Sequence, residues 1–243
     1  MRYGVFSDVH GNIEALDAVL GVLRDQGVDR YAFVGDAVGY GPNPNEVCDR
    51  IREVAEIAVV GNHDAAVTDR MSYEEYYDAA RHALDWCKER LTPANMKWLT
   101  DLPYSHREGD LVFSHGAPVA PELFDYLFAP EQVVDMLEGE PELAPVTFIG
   151  HSHLTISFAI DDGTVTPILA DAIECDPAKR YIITDGSVGQ PRDRDPRAAC
   201  GVYDSETRVF TFHRVTYDAH AVRRKILDAG LSPIFGERLL VGM

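Results

Sequence analysis

Five short segments of this 243-residue chain join an apolar stretch directly to side chains that bind divalent cations. The side chains are Asp, Asn and His, and the segments contain no cysteine. Five of the nine histidines of the chain lie in these segments, which are Ser7–Asn12, Gly35–Asp36, Gly61–Asp64, Ser114–Gly116 and Gly150–His153. Such a donor set suits a hard-to-borderline divalent cation such as Mn, Zn, Fe(II), Ni or Co.

The apolar run before each segment predicts a strand that would carry the ligands to one place. Strands and helices alternate from Tyr3 to Val60, which predicts parallel strands joined by right-handed crossovers. The carboxyl ends of neighbouring parallel strands converge on one edge of the sheet, where ligand sites form. Each segment alone is weak evidence, because a lone Asp-x-His is more often an ordinary turn. The ordered series at strand ends is far more specific.

The rest of the chain predicts one domain, residues 1–243, built of two packed sheets with helices outside. A helical insertion is expected at about residues 71–102, with its first helix over Tyr73–Arg90. The pattern is then mostly β as far as Val215, and two C-terminal helices follow at about residues 218–241. The sequence has neither an internal repeat nor a low-complexity tract.

Composition and charge narrow the classes of function. The net charge of −18 disfavours broad contact with nucleic acid or an anionic membrane. Apolar runs fall short of the roughly 20 residues of a membrane-spanning helix, and the N-terminus lacks the features of a signal peptide, so a cytoplasmic location is predicted. The four cysteines are far apart and are predicted to be reduced, buried thiols. The oligomeric state is left open.

The order of these motifs resembles the calcineurin-like metallophosphoesterase superfamily. The matching motifs are D-x-H at Asp8, G-D at Gly35, G-N-H-D at Gly61, H at His115 and G-H-x-H at Gly150. The stretches G-D-A-V-G-Y-G-P-N-P at 35–44 and G-S-V-G-Q-P-R-D at 186–193 are similar to its bacterial predicted-phosphodiesterase branch. The resemblance implies an α/β fold, a four-layer α/β/β/α sandwich of two mixed sheets flanked by helices.

The resemblance also implies seven ligands to two divalent metal ions and a hydroxide nucleophile that bridges them. Manganese is the expected metal, with Zn, Fe, Ni or Co as alternatives. The implied ligands are Asp8, His10 and His153 for one metal, Asn62, His115 and His151 for the other, and Asp36 for both.

His63 is the implied catalytic residue that is not a ligand. In similar enzymes the equivalent histidine protonates the departing oxygen, and some relatives carry cysteine there. A histidine can act as a general acid near pH 7, whereas a neutral thiol is a poor one. Asp64, the next residue, is predicted to orient the imidazole.

Three residues are predicted to contact the substrate. Asn12 either donates to the phosphate or caps the helix that follows. Arg192 either binds the phosphate or pairs with a neighbouring aspartate. Tyr40, together with Asn43, is expected to line the pocket from the loop after Asp36. The histidines outside the motifs are predicted to be structural, namely His82, His106, His213 and His220.

The favoured function is metal-dependent hydrolysis of small phosphodiesters or phosphomonoesters, nucleotide-derived esters among them. A protein Ser/Thr phosphatase is the main alternative, and the acidic composition argues mildly against acidic phosphopeptides. A nuclease would need a basic stripe, which the sequence lacks. A non-catalytic scaffold would be expected to have lost ligands that are all present here. Specificity is expected to reside in 39–44, 71–102, 116–130 and the segment after Gly186.

Overall fold

The computed structural model describes residues 1–139 and 141–243, and its strands form two mixed sheets of six strands each. The strands are β1 (Arg2–Phe6), β2 (Arg30–Phe33), β3 (Ile57–Ala58), β4 (Ser105–Glu108), β5 (Leu111–Ser114), β6 (Val146–Ile149), β7 (Ser157–Asp161), β8 (Thr164–Ile168), β9 (Ala172–Glu174), β10 (Arg180–Thr184), β11 (Ala198–Asp204) and β12 (Val209–Val215). The first sheet has the order β3-β2-β1-β11-β12-β9, and the second has the order β4-β5-β6-β10-β7-β8.

Helices cover the outer faces of both sheets. They are α1 (Ile13–Asp25), α2 (Pro44–Val54), α3 (Asn62–Val67), α4 (Asp78–Arg90), α5 (Pro93–Asp101), α6 (Pro130–Leu137), α7 (Ala219–Asp228) and α8 (Pro233–Leu239). Successive residues of β1 serve different layers, since side chains alternate across a strand: Val5 packs between the sheets and Phe6 packs beneath α1. Val133 of α6 covers the outer face of the second sheet. The predicted four-layer architecture is confirmed.

Two runs of parallel strands bring their carboxyl ends together. The first is β1–β2–β3 and the second is β5–β6–β10. Backbone hydrogen bonds then join the turns that follow, from Val9 N to Asp36 O (2.9 Å), from Gly150 N to His115 O (3.0 Å) and from Gly189 N to Asp8 O (2.8 Å). Segments far apart in sequence therefore meet at one edge of the sandwich, as the strand-end pattern predicts.

The structure differs from the predicted elements mainly in the middle of the chain. The helix expected from Tyr73 begins at Asp78, after a turn. Helix α3 lies where the sequence suggests only a turn that carries ligands. The sequence does not indicate this helix because all six of its residues are buried and show no amphipathic pattern. All four cysteines are buried and free, as expected. Within the described residues, no helix combines the length and apolar character needed to span a bilayer.

Candidate metal centre

Five of the predicted ligands have left-handed backbone conformations. The angle φ is 52° at Asp8, 48° at His10, 64° at Asp36, 66° at His151 and 58° at His153. Residues other than glycine rarely adopt this conformation, which costs about 1–3 kcal/mol at each position. Such strain clusters where function needs side chains held in a fixed arrangement. The edge where the two parallel runs end is therefore the candidate functional site.

Three histidines are anchored in the same way, through a backbone carbonyl at Nδ1. The pairs are His10 with Val38 O (2.9 Å), His115 with Val34 O (2.8 Å) and His153 with Gln190 O (2.6 Å). A carbonyl only accepts, so in the neutral ring Nδ1 carries the proton and Nε2 is left with its lone pair. This is the arrangement of a metal-binding histidine whose other nitrogen is fixed by a hydrogen bond.

The free Nε2 atoms face one another and a buried carboxylate. Nε2 of His153 lies 3.3 Å from Nε2 of His10 and 3.3 Å from Oδ1 of Asp8. Among the described residues, this Asp8 oxygen has no hydrogen-bond partner. Lone pairs packed this closely repel one another unless a cation lies between them. The donor set therefore fits a divalent cation held by these three side chains.

Asp36 lies between this group and a second one. Its Oδ2 is 3.6 Å from Nε2 of His10 and 3.4 Å from Nε2 of His115. Nε2 of His115 is in turn 3.1 Å from Oδ1 of Asn62. A carboxylate placed between two sets of donors has the position that a bridging ligand requires.

The ligand atoms of this cluster come within 4.8 Å of one another in three overlapping triads. The triads are Asp8–His10–His153, Asp8–Asp36–His115 and His10–Asp36–His63. His151 belongs to none of them, although its ring lies 4.9 Å from that of His115 and its backbone N–H donates to Asp8 at 3.0 Å.

The electrostatics of the cluster suit metal binding. Burial lowers the pKa of His10, His151 and His153 well below the usual value, so these rings are neutral. Burial also acts to lower the pKa of His115, but the Asp36 carboxylate outweighs it and raises this pKa to about 10. Because imidazole binds metals in its neutral form, a cation here would displace the His115 proton.

His63 lies beside the candidate ligands with an unused nitrogen. Its Nδ1 is buried and has no hydrogen-bond partner among the described residues. The ring packs 4.8 Å from that of His10 and 4.6 Å from that of Tyr40. A Cβ at Gly39 would overlap Nδ1, so only glycine leaves room for the ring in this position. The His63 N–H also donates to Oδ1 of Asp36 at 2.9 Å, which ties this residue to the cluster.

Asp64 has a different role from the predicted one. Its carboxylate accepts four backbone N–H groups, from Asp36 (2.8 Å), Ala37 (2.9 Å), Val38 (3.2 Å) and Gly61 (3.1 Å). These bonds use both carboxylate oxygens, and none goes to the His63 ring. This corrects the prediction that Asp64 orients the imidazole, because the carboxylate instead fixes the turn that carries Asp36.

Two of the three predicted substrate contacts line a cavity of about 400 Å³ beside the cluster, namely Tyr40 and Arg192. Asn12 does not, because its Oδ1 accepts from Ala15 N (3.1 Å) at the start of α1 and its Nδ2 donates to Gly189 O (3.2 Å). Of the two interpretations offered for Asn12, the structure supports the helix cap. Asn43 is likewise outside the cavity lining.

Arg192 is not paired with its neighbouring aspartates. Asp193 binds Arg214, and Asp195 binds Arg197. Nε of Arg192 is buried without a hydrogen-bond partner among the described residues. The alternative in which Arg192 pairs with a neighbouring aspartate is therefore wrong, and the guanidinium faces the cavity.

Several residues of the site are not indicated by any sequence motif. Tyr76 accepts a hydrogen bond from Nδ2 of Asn62 at 2.6 Å, which turns the amide oxygen of Asn62 toward His115. Tyr126 stacks on His151 with ring centroids 3.7 Å apart. Both tyrosines lie in segments expected to set specificity, but neither sits in a motif. Arg238 of α8 also lines the cavity, and nothing in the sequence around it indicates this.

Two further residues, Ser7 and Asp185, lie behind the candidate ligand Asp8. The Ser7 hydroxyl lies 2.5 Å from Oδ2 of Asp8 and 2.8 Å from Oδ1 of the buried Asp185. Burial raises the pKa of Asp185 well above its usual value, and the Asp8 charge adds to this. The Ser7 hydroxyl therefore links Asp8 to a second buried carboxyl group behind it.

Two packed mixed sheets with an Asp/His cluster at their strand ends agree with a known family of phosphoesterases. The model of the calcineurin-like phosphoesterase family matches residues 1–172. The chain belongs to this family and is a hydrolase of phosphoester bonds. Members of the family use divalent metal ions, and the Asp and His side chains described above are the candidates to hold them here.

Two of the similar proteins match nearly the whole chain, and a third matches part of it. The uncharacterized protein MJ0912 of Methanocaldococcus jannaschii is 36% identical over 242 residues, covering 98% of this chain and 97% of that protein. A crystal structure of a metallophosphoesterase from Sphaerobacter thermophilus is 34% identical with a TM-score of 0.85, covering 100% of this chain and 99% of that one. Phosphodiesterase YfcE of Escherichia coli is 26% identical over 167 residues, covering 65% of this chain and 72% of that protein.

Proposed function

We propose that the chain hydrolyses small phosphodiesters or phosphomonoesters, nucleotide-derived esters among them, at a centre of two divalent metal ions. The observation that carries the proposal is the convergence of buried ligand atoms from Asp8, His10 and His153 on one side of Asp36 and from His115 on the other. When bound, two such cations supply a water nucleophile near neutral pH and stabilise charge on the phosphoryl oxygens. Manganese is the proposed metal.

The side chains around the cluster have separate roles in this proposal. Asp36 holds both donor groups at a fixed distance, and its Oδ1 fixes the backbone of His63. His63 is the candidate to protonate the departing oxygen, because its ring borders both the cluster and the cavity. Arg192 would bind the phosphoryl oxygens from the other wall, since it faces the cavity without a carboxylate partner.

The cavity favours small esters over macromolecules. Its volume of about 400 Å³ is that of a small-molecule site, and Tyr40, Tyr76 and Tyr126 give it aromatic walls. A larger groove of about 830 Å³ lies over the start of α4, but none of the candidate ligands lines it. A protein phosphatase remains the second candidate, disfavoured by a net charge of −18 that repels acidic phosphopeptides.

Removal of metal is expected to abolish turnover. Purified protein should contain about two divalent ions per chain, and dialysis against a chelator should remove both the metal and the hydrolysis of bis-p-nitrophenyl phosphate. Adding Mn²⁺ back should restore the rate, whereas Ca²⁺ should restore far less, because it prefers oxygen ligands. Metal analysis and product absorbance measure both quantities on the same sample. The proposal fails if no phosphoester in a broad panel is turned over in a metal-dependent way.

A further inference from the structure

The cavity beside the cluster is lined by two arginines from distant parts of the chain. Arg192 lies in the loop after β10, and Arg238 comes from α8 near the C-terminus. Both are half-buried, and among the described residues neither forms an ion pair. The acidic neighbour Glu237 is taken by Arg223, as Asp193 is by Arg214. Two guanidinium groups are therefore left free toward the same cavity in a strongly acidic protein.

Direct contacts fix α8 against the loop that carries Arg192. Nε2 of Gln190 donates to Phe235 O at 3.2 Å, and Arg194 N donates to Gly242 O at 2.8 Å. The Phe235 ring packs 4.8 Å from the ring of Tyr40. Because these bonds lie on both sides of Arg238, its helix cannot move independently of the site. The backbone that carries the second guanidinium is therefore held in place before any ligand arrives, which reduces the entropic cost of binding.

Arg192 is bonded directly to a candidate metal ligand, whereas Arg238 has no such bond among the described residues. The Arg192 backbone N–H donates to His153 O at 3.2 Å, and the Arg192 charge contributes to the lowered pKa of His153. Arg238 instead reaches the cavity from a helix whose contacts are with Tyr40 and Gln190. Arg192 is therefore the arginine next to the cluster, and Arg238 adds a second cation to the same cavity from α8.

We propose that Arg238 binds a second phosphate of the substrate, next to the one held at Arg192 and the metal cluster. The preferred substrates are then phosphoesters that carry two linked phosphates, and the aromatic walls suit an aryl or nucleobase group beyond them. This rests on the proposed function, whose reacting phosphate it extends. Arginine suits the role because its planar fork binds phosphate oxygens in pairs. The exposed Glu75 lines the same cavity. The substrate phosphate must therefore be attracted by direct contact with the arginines rather than by the overall electrostatic field of the protein.

The test compares two nucleotides that differ by one phosphate, AMP and α,β-methylene ADP, whose phosphates are joined through carbon. Affinities are measured by calorimetry on Mn²⁺-saturated protein, so the readout does not depend on turnover. Wild type should bind α,β-methylene ADP more tightly, and Arg238→Gln should weaken it about 10-fold while weakening AMP less than about 2-fold. Arg238→Lys should lie between, since it keeps the charge and loses the fork.

Arg224→Gln is the matched control. Arg224 is exposed on α7, so this substitution makes the same change in net charge outside the cavity. It should leave both affinities and the hydrolysis of bis-p-nitrophenyl phosphate unchanged. The inference is overturned if wild type fails to prefer the two-phosphate ligand, or if Arg238→Gln affects the two ligands equally or neither. A protein that shows the binding difference but no phosphoester turnover would keep the subsite and lose the proposed function. A protein that turns over phosphoesters but shows no binding difference would keep the proposed function and lose the subsite.

Discussion

Replacing Asp36 with Asn is expected to lower the turnover of bis-p-nitrophenyl phosphate by at least about 10³-fold, the largest effect of any single change at this site. The side chain is 1% exposed, and its Oδ2 lies within 3.6 Å of ligand nitrogens on both sides. An amide has the same shape but is neutral, so it cannot bridge two cations. Metal content measured on the same sample should fall with the rate.

Asp64→Asn is the control that distinguishes a defect in the turn that carries Asp36 from a defect in the metal centre itself. Asparagine keeps one acceptor oxygen and turns an NH₂ group toward two of the four N–H donors. The expected cost is about 2–4 kcal/mol of unfolding free energy, or roughly 10 °C in Tm for a chain of this size. Asp36→Asn should instead lose activity with a smaller change in Tm. An Asp36→Asn protein that keeps its metal and a rate within tenfold of wild type would contradict the bridging role.

Replacing His63 with Ala is expected to produce the second-largest loss of hydrolysis rate, and the size of this loss should depend on the leaving group of the ester. General-acid catalysis contributes about 10²–10⁴-fold where the departing oxygen needs a proton. Alkyl esters should therefore lose rate by that order, while p-nitrophenyl esters, whose leaving group departs as a stable anion, should lose far less. The ratio of kcat/KM for an alkyl and an aryl phosphodiester measures the difference in each variant.

The environment of His63 gives this prediction a pH dependence. Burial lowers the pKa of the ring to about 4, assisted by Arg192 and His115 and opposed by Asp36. A bound phosphate would add negative charge beside the ring and raise this pKa, which favours the protonated ring in the substrate complex. The alkyl-ester rate should then fall as pH rises above the pKa of the complex, and His63→Ala should lose that limb. His82→Ala, at an exposed position on α4, is the control. Equal losses of rate on alkyl and aryl esters in His63→Ala would contradict the general-acid role.

The convergence of the candidate ligands at one edge was predictable because each one lies directly beside its own sequence signal. An apolar run marks the strand, the polar residue after it marks the edge, and parallel topology brings the edges together. The left-handed backbone at Asp8, His10 and Asp36 was not predictable, since sequence suggests this conformation mainly at glycine. It follows from tertiary contacts that hold the turns in place.

The roles of Asn12, Asp64 and Arg238 depend on contacts between distant segments. Asn12 and Asp64 have the residue types of a functional contact, but backbone groups within reach take up their hydrogen bonds. Arg238 lies in a helix with no motif, and it lines the cavity only because α8 packs on Tyr40. Local pattern gives the kind of side chain at a position, whereas the fold decides which partner that side chain meets.

The most direct test of the metal centre is anomalous diffraction at the manganese edge from crystals of Mn²⁺-loaded protein. The expected result is two peaks about 3.5–4 Å apart, one on each side of Asp36. One peak should lie against Asp8, His10 and His153, and the other against Asn62, His115 and His151. A single peak, or peaks remote from Asp36, would contradict a dinuclear site built by these seven side chains.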